Sequence, residues 1–175
     1  MGNSKITGSQ TVFIVGFMGS GKTTWGKKLA EKTGRLFIDL DEYIVSSAGM
    51  PISEYFKEHG ETAFRELESH TLKCLPSSQP AVVSTGGGTP CYFDNMAWMN
   101  EHGMTIYFHL PVKALWHRLM QTDITTRPAL RGLSGEELLD HISAKLAERE
   151  PYYQQASYTV NQLSLQLEDL VRMIG

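Results

Sequence analysis

Two rhythms of apolar and polar positions alternate along the chain. Short β-branched or apolar runs at Thr11–Val15, Leu36–Ile38, Ala81–Ser84, Thr105–Phe108 and Ser157–Val160 predict strands. Between them, helical spacing predicts helices at Lys22–Lys32, Glu42–Ser47, Ile52–His59, Glu61–Leu75, Asp94–Glu101, Val112–Met120, Glu136–Glu150 and Leu165–Ile174. In the first helix Trp25, Leu29 and Ala30 fall on one face, and Gly34 supplies a C-terminal stop. Gly49-Met50-Pro51 and Gly60 punctuate the helices that follow the second strand. Strand–helix alternation predicts an α/β fold: three layers, α/β/α, around a five-stranded parallel sheet. In such sheets the site forms at the carboxyl ends of the strands.

Composition narrows the picture. At 175 residues the chain is long enough for one domain with a real core. Hydrophobic residues make up 41% and charged residues 20%, which is ordinary for a globular protein. The net charge is -3 and the basic residues are scattered, so no nucleic-acid partner is expected. Residues 1–10 are polar and fit neither a signal peptide nor a membrane span. They read as a flexible tail before a single domain at 11–175, cytoplasmic and without a membrane partner. Cys74 and Cys91 have no metal-type or redox-type spacing and read as idle thiols.

The chemistry starts where the first strand stops. Gly16-Phe17-Met18-Gly19-Ser20-Gly21-Lys22-Thr23 is the G-x-x-x-x-G-K-[ST] pattern, with a strand before it and a helix after it. Its glycines let successive N–H groups turn inward as an anion nest, and the helix aims its positive end at the same point. Lys22 adds charge for the β- and γ-phosphates, and the Thr23 hydroxyl suits Mg²⁺. The candidate ATP contacts are Gly19, Ser20, Gly21, Lys22, Thr23 and Thr24. The five strands fit a P-loop kinase core.

Four further features sit at or near strand ends. Asp39 and Asp41 are two apart, which in an extended segment points both carboxylates one way, towards Mg²⁺ through water and towards a hydroxyl proton. The plainer reading has Asp41 capping the next helix. Arg65 stands at helical spacing from Glu61 and Glu68 and by spacing alone is a surface ion pair. Gly86-Gly87-Gly88 has more glycine than a turn needs, which implies close approach by a ligand or a chain, with a flexible loop as the alternative. Arg127-Pro128 lies in a polar stretch at about 121–135, either a lid or a solvated loop, and Arg149 precedes Pro151-Tyr152-Tyr153.

Taken together these motifs resemble the shikimate kinase family over essentially the whole chain after the tail. The carrying residues are the Gly16–Thr24 loop, Phe37-Ile38-Asp39-Leu40-Asp41, Gly60-Glu61-Thr62-Ala63-Phe64-Arg65-Glu66-Leu67-Glu68, Ser84-Thr85-Gly86-Gly87-Gly88, Arg127-Pro128 and Arg149-Glu150-Pro151-Tyr152-Tyr153. The resemblance implies a nucleoside-monophosphate-kinase-like fold with a core, a substrate-binding segment at about 41–75 and a lid. It implies Mg²⁺-dependent transfer of the ATP γ-phosphoryl group to the 3-hydroxyl of shikimate, on the route to chorismate and aromatic amino acids. It matches Asp41 to a base that also binds shikimate hydroxyls, and Arg65 with Arg149 to the grip on the shikimate carboxylate. Gly87 matches a backbone contact to shikimate, and Arg127 a lid arginine that reaches ATP. Thr23 matches a Mg²⁺ ligand, with Asp39 acting through water. It raises Arg65 from a surface pair to a functional residue, in a protein expected to be monomeric.

Some positions depart from the pattern. Trp25 replaces an aliphatic residue, and Val160-Asn161-Gln162-Leu163 lacks a proline-bearing turn near the adenine. That leaves the adenine contacts open, with Arg118 as one stacking candidate and Arg131 as a possible extra lid charge. Two rival readings remain: another kinase of this fold, such as a gluconate kinase, and a non-catalytic shikimate sensor. The sensor would more naturally lose Lys22, Asp41 or Arg127, or carry a DNA-binding extension.

Overall fold

The computed structural model describes residues 10–76, 78–122, 130 and 132–175. Five parallel strands form one sheet: β1 (Thr11–Val15), β2 (Leu36–Asp39), β3 (Ala81–Ser84), β4 (Gly103–His109) and β5 (Tyr158–Asn161), in the order β2-β3-β1-β4-β5. Seven helices accompany it among the described residues: α1 (Lys22–Thr33), α2 (Leu40–Ala48), α3 (Ile52–Lys73), α4 (Asn95–His102), α5 (Val112–Met120), α6 (Gly135–Tyr153) and α7 (Leu167–Ile174). This is the expected α/β architecture.

Successive side chains of a strand point to opposite faces, and here both faces are covered. Phe13, Val15, Val83 and Tyr107 join one core with residues of α2 to α6. Val12, Ile14, Val82, Ile106 and Phe108 join the other with Leu29 and Ala30 of α1 and Leu170 and Ile174 of α7. Trp25 packs half-buried against that second core. Burial on both sides explains why β1 and β3 read as unbroken apolar runs. The C-terminal ends of β1 and β3, the two central neighbours, open onto the same side.

Several element ends differ from expectation, each for a local reason. α2 starts at Leu40, because the Asp39 side chain accepts from the backbone N–H groups of Asp41 (3.1 Å) and Glu42 (3.3 Å). Gly60 does break the run from Ile52 to Lys73, with φ 82 and ψ 171. α6 continues past Pro151 to Tyr153, because a proline in the last turn forfeits one backbone bond and later N–H groups still close the helix. α7 starts at Leu167 behind a reciprocal cap between Gln166 and Asp169. Among the described residues no helix is long and apolar enough to cross a membrane. Both thiols are free.

Candidate active site

The phosphate loop forms because β1 ends fully buried and the chain must reverse into α1. Gly16, Gly19 and Gly21 adopt φ of 146, 79 and 88, a region that side chains rarely tolerate. Lys22 is buried and donates to the carbonyls of Gly16 and Phe17, both at 2.9 Å. Its ammonium therefore spans the mouth of its own loop. Ser20 Oγ is fully buried without a hydrogen-bond partner among the described residues. A buried hydroxyl without a partner is costly.

Asp39 joins the loop to β2. Its Oδ2 accepts from Thr23 Oγ1 at 2.7 Å while Oδ1 caps α2, and Ser84 Oγ lies 3.2 Å from the same threonine hydroxyl. The pairing of Asp39 and Asp41 as neighbours on an extended strand needs correction. Asp39 is the cap, and Asp41 is already in the first turn of α2. Both still line one cavity of about 350 Å³, with Gly21, Lys22, Thr23 and Gly87.

The run after β3 organises the other wall. A Cβ on Gly86 would stand 3.0 Å from Asp41 Oδ1 and from Glu68 Oε1. One on Gly87 would stand 3.3 Å from the Met18 N–H of the phosphate loop and 3.4 Å from Arg149 Nη1. One on Gly88 would stand 2.8 Å from both terminal nitrogens of Arg65. Three consecutive glycines thus form a rail against which Asp41, Arg149 and Arg65 lie in turn. A chain approaches the backbone closely, as one sequence alternative had it.

Arg65 is held from several sides. It donates to Glu68 Oε2 at 2.9 Å and to Glu61 Oε1 at 3.3 Å, and its guanidinium carbon is 4.3 Å from the Tyr92 ring centre. Its Nε is buried and without a partner among the described residues. Burial is the largest influence and opposes its charge, but Glu68, Tyr92 and Glu61 together outweigh it and hold its pKa above the ordinary value. Glu68 is itself 1% exposed and also accepts from Thr89 Oγ1 at 2.5 Å. Arg149 stands with its guanidinium 5.7 Å from the Phe17 ring centre.

Asp41 faces the cleft, and water reaches it. The protein packed around it nonetheless disfavours its charge, and Glu68 and Asp39 add repulsion. Its pKa is raised to about 6 despite opposing pull from Lys22 and Arg65. A carboxylate poised there is ionised at neutral pH yet basic enough to accept a proton. Burial pushes the Cys91 thiol up to about 11, so it stays a neutral thiol beside the arginines.

Sequence reasoning quoted Glu68, Ser84 and Tyr153 within the motifs that carry the resemblance but gave Glu68 no role beyond pairing with Arg65 and gave the other two none, and it passed over Thr89 and Tyr92. The signal for Glu68 was its position three residues after Arg65, on the face that also carries buried Phe64, Thr71 and Leu72. Arg118 donates to Gln162 Oε1 at 2.6 Å and reaches the Gly19 carbonyl at 3.4 Å. Arg127 and Arg131, the lid candidates, lie outside the described residues.

A parallel sheet with a phosphate nest and an adjoining polar cleft defines a P-loop kinase fold built around a small-molecule site. The sequence model of the shikimate kinase family matches residues 18–174. A shikimate kinase of Parabacteroides distasonis is 48% identical over 148 residues, 85% of either chain. The crystal structure of shikimate kinase from Bacteroides thetaiotaomicron superposes with a TM-score of 0.85 at 40% identity, covering 94% of this chain and 96% of that one. Shikimate kinase from Acinetobacter baumannii, in complex with shikimate, gives a TM-score of 0.81 at 32% identity, covering 95% and 90%. A gluconokinase from Sinorhizobium meliloti, at 18% identity and a TM-score of 0.50, shares the fold alone. The chain belongs to the shikimate kinase family, enzymes that use ATP to phosphorylate a hydroxyl group of shikimate.

Proposed function

We propose that this protein transfers the γ-phosphoryl group of ATP to the 3-hydroxyl of shikimate, on the route to chorismate, as a cytoplasmic monomer. One observation carries the reading: the Cβ positions left empty at Gly86, Gly87 and Gly88 are each approached by a different acceptor-side group, and the one at Gly87 also by the phosphate loop. A carboxylate clamp and a phosphate nest therefore share one wall. The orphaned Nε of Arg65 adds support, since a planar carboxylate is best held by guanidinium N–H groups.

In this reading the nest from Gly19 to Thr24 binds the triphosphate, and Lys22 leaves its carbonyl partners to neutralise charge on the moving phosphoryl group. Arg65 and Arg149 grip the ring carboxylate, and the Gly87 backbone meets the substrate. Asp41 orients the ring hydroxyls and accepts the 3-hydroxyl proton. The segment at about 41–75 recognises the acceptor. The stretch at about 121–135 closes over it, with Arg127 reaching ATP.

Mg²⁺ fits the oxygen donors present. Thr23 Oγ1 and Asp39 Oδ2 already meet at 2.7 Å, and a hard cation prefers such oxygens together with phosphate and water. Thr23 would hold it directly and Asp39 through water. When bound, it supplies charge neutralisation on the phosphate oxygens.

A coupled assay of ADP release tests the proposal, run with shikimate or gluconate and with or without Mg²⁺. Shikimate- and Mg²⁺-dependent turnover, with none on gluconate, is the expected result. Turnover on gluconate alone, or on neither acceptor, would overturn the proposal.

A further inference from the structure

Tyr153 ends α6 and is completely buried, unlike Tyr152 beside it, which is 40% exposed. Its hydroxyl donates to the Gly87 carbonyl at 2.5 Å. Arg149, one helical turn earlier, brings Nη1 to within 3.4 Å of where a Gly87 Cβ would stand. The phenol, the middle glycine and the arginine thus meet at one point. Behind them the Tyr153 ring packs on Tyr107 with centres 5.1 Å apart, and Tyr107 Oη lies 3.3 Å from Glu150 Oε1. Burial pushes the Tyr153 phenol well above its ordinary pKa, so it remains a donor at every working pH.

This bond has a consequence for the rail. The Gly87 peptide has no side chain to anchor it, and its neighbours are glycines too. Backbone turns hold the carbonyls on either side, Gly86 by the Thr89 N–H at 3.2 Å and Gly88 by the Cys91 N–H at 2.9 Å, but neither bond includes the Gly87 carbonyl, which is left for a side chain to hold. The Tyr153 hydroxyl is the donor that does so.

We propose that Tyr153 is a positioning residue: its hydroxyl fixes the Gly87 carbonyl against α6, and so sets the distance between the Gly87 backbone and Arg149. The inference rests on the assignment of Gly87 and Arg149 to the acceptor. It predicts an effect on acceptor affinity, with ATP affinity and the chemical step largely spared.

The test is Tyr153→Phe, which removes one oxygen and keeps the ring. The KM for shikimate should rise about tenfold, the usual worth of one lost buried hydrogen bond. The KM for ATP should stay within roughly twofold and kcat within about threefold. Tyr107→Phe is the control: it removes a neighbouring phenol that does not bond the rail, and it should leave the shikimate KM within about twofold. An unchanged shikimate KM in Tyr153→Phe overturns the inference, as does an equal rise in Tyr107→Phe. A Tyr153→Phe protein that fails to fold overturns it as well, because the hydroxyl would then serve the fold and not the site. Absence of shikimate turnover in the wild-type protein would instead bring down the functional assignment, and this inference with it.

Discussion

Two glycine runs lie side by side at the ends of neighbouring strands, and glycine is there for different reasons. In the phosphate loop Gly16, Gly19 and Gly21 need positive φ, so glycine is required by backbone conformation. In the rail none of Gly86, Gly87 and Gly88 has positive φ. There glycine is required by space, because Asp41, Arg149, Glu68 and Arg65 crowd the missing Cβ positions. One run shapes the backbone so that its own N–H groups bind an anion. The other gives way so that side chains from α2, α3 and α6 can converge. In the proposed function, donor recognition would be a property of the main chain, whereas acceptor recognition would belong to side chains resting on it.

That contrast gives a graded set of expected outcomes. Lys22→Met should lower kcat by roughly 10²–10³-fold, as when one preorganised charge contact to the transition state is lost. Single-turnover kinetics reads this directly, and wild-type-like rates would remove Lys22 from the mechanism. Gly16→Ala should cost about 2 kcal/mol or more of stability, since φ is 146 and the new methyl would sit 2.9 Å from the Phe108 carbonyl. Thermal unfolding measures it. Gly88→Ala should differ in its main effect, raising the shikimate KM by about tenfold with a smaller loss of melting temperature than Gly16→Ala. The atoms nearest the methyl there belong to the Arg65 guanidinium, a side-chain end that can shift where the Phe108 carbonyl cannot. Equal stability losses in the two variants would erase the distinction.

Charge gives a finer test. The pH profile of kcat/KM should carry an acid limb near 6, set by Asp41. Glu68→Gln should move that limb towards the ordinary carboxylate value, because Glu68 is among the groups that push it up. Stability follows the same proton. The folded pKa lies above the ordinary value of 3.8, so the folded chain holds the proton more tightly. This group's contribution to stability is fully present below 3.8 and is lost as pH rises through about 6. Water reaches Asp41, so screening keeps the amplitude small. At the bottom of the scale, Leu163→Ser on a side chain 60% exposed should leave kcat and KM within about twofold.

The fold was legible because the sheet is buried on both faces, and apolar runs and glycine stops announce such strands directly. The phosphate loop was legible because its conformation demands particular residues at fixed spacing. The acceptor side was harder. By local spacing Arg65 was a surface pair, and only the resemblance lifted it; the contact that holds it in the cleft is Glu68, whose burial follows from sharing a helix face with Phe64 and Leu72, a pattern the ion-pair reading left unused. Asp39 was noticed as a metal candidate, but its capping bonds depend on how β2 turns into α2, which a strand-face argument does not foresee. Tyr153 was quoted only within a motif, because its bond to Gly87 joins positions 66 residues apart. Contacts between distant segments carry no period, so no pattern along the chain could encode them.

β1 and β3 are hydrogen-bonded neighbours, with Ile14 opposite Ser84, and both the N–H and the hydroxyl of Thr85 bond the Ile14 carbonyl. The phosphate loop and the glycine rail therefore leave adjacent strands, which in any sheet lie about 4.8 Å apart. The main chain works as a ruler. The separation at which the two loops set out is written into the repeat of the sheet, whichever side chains line them.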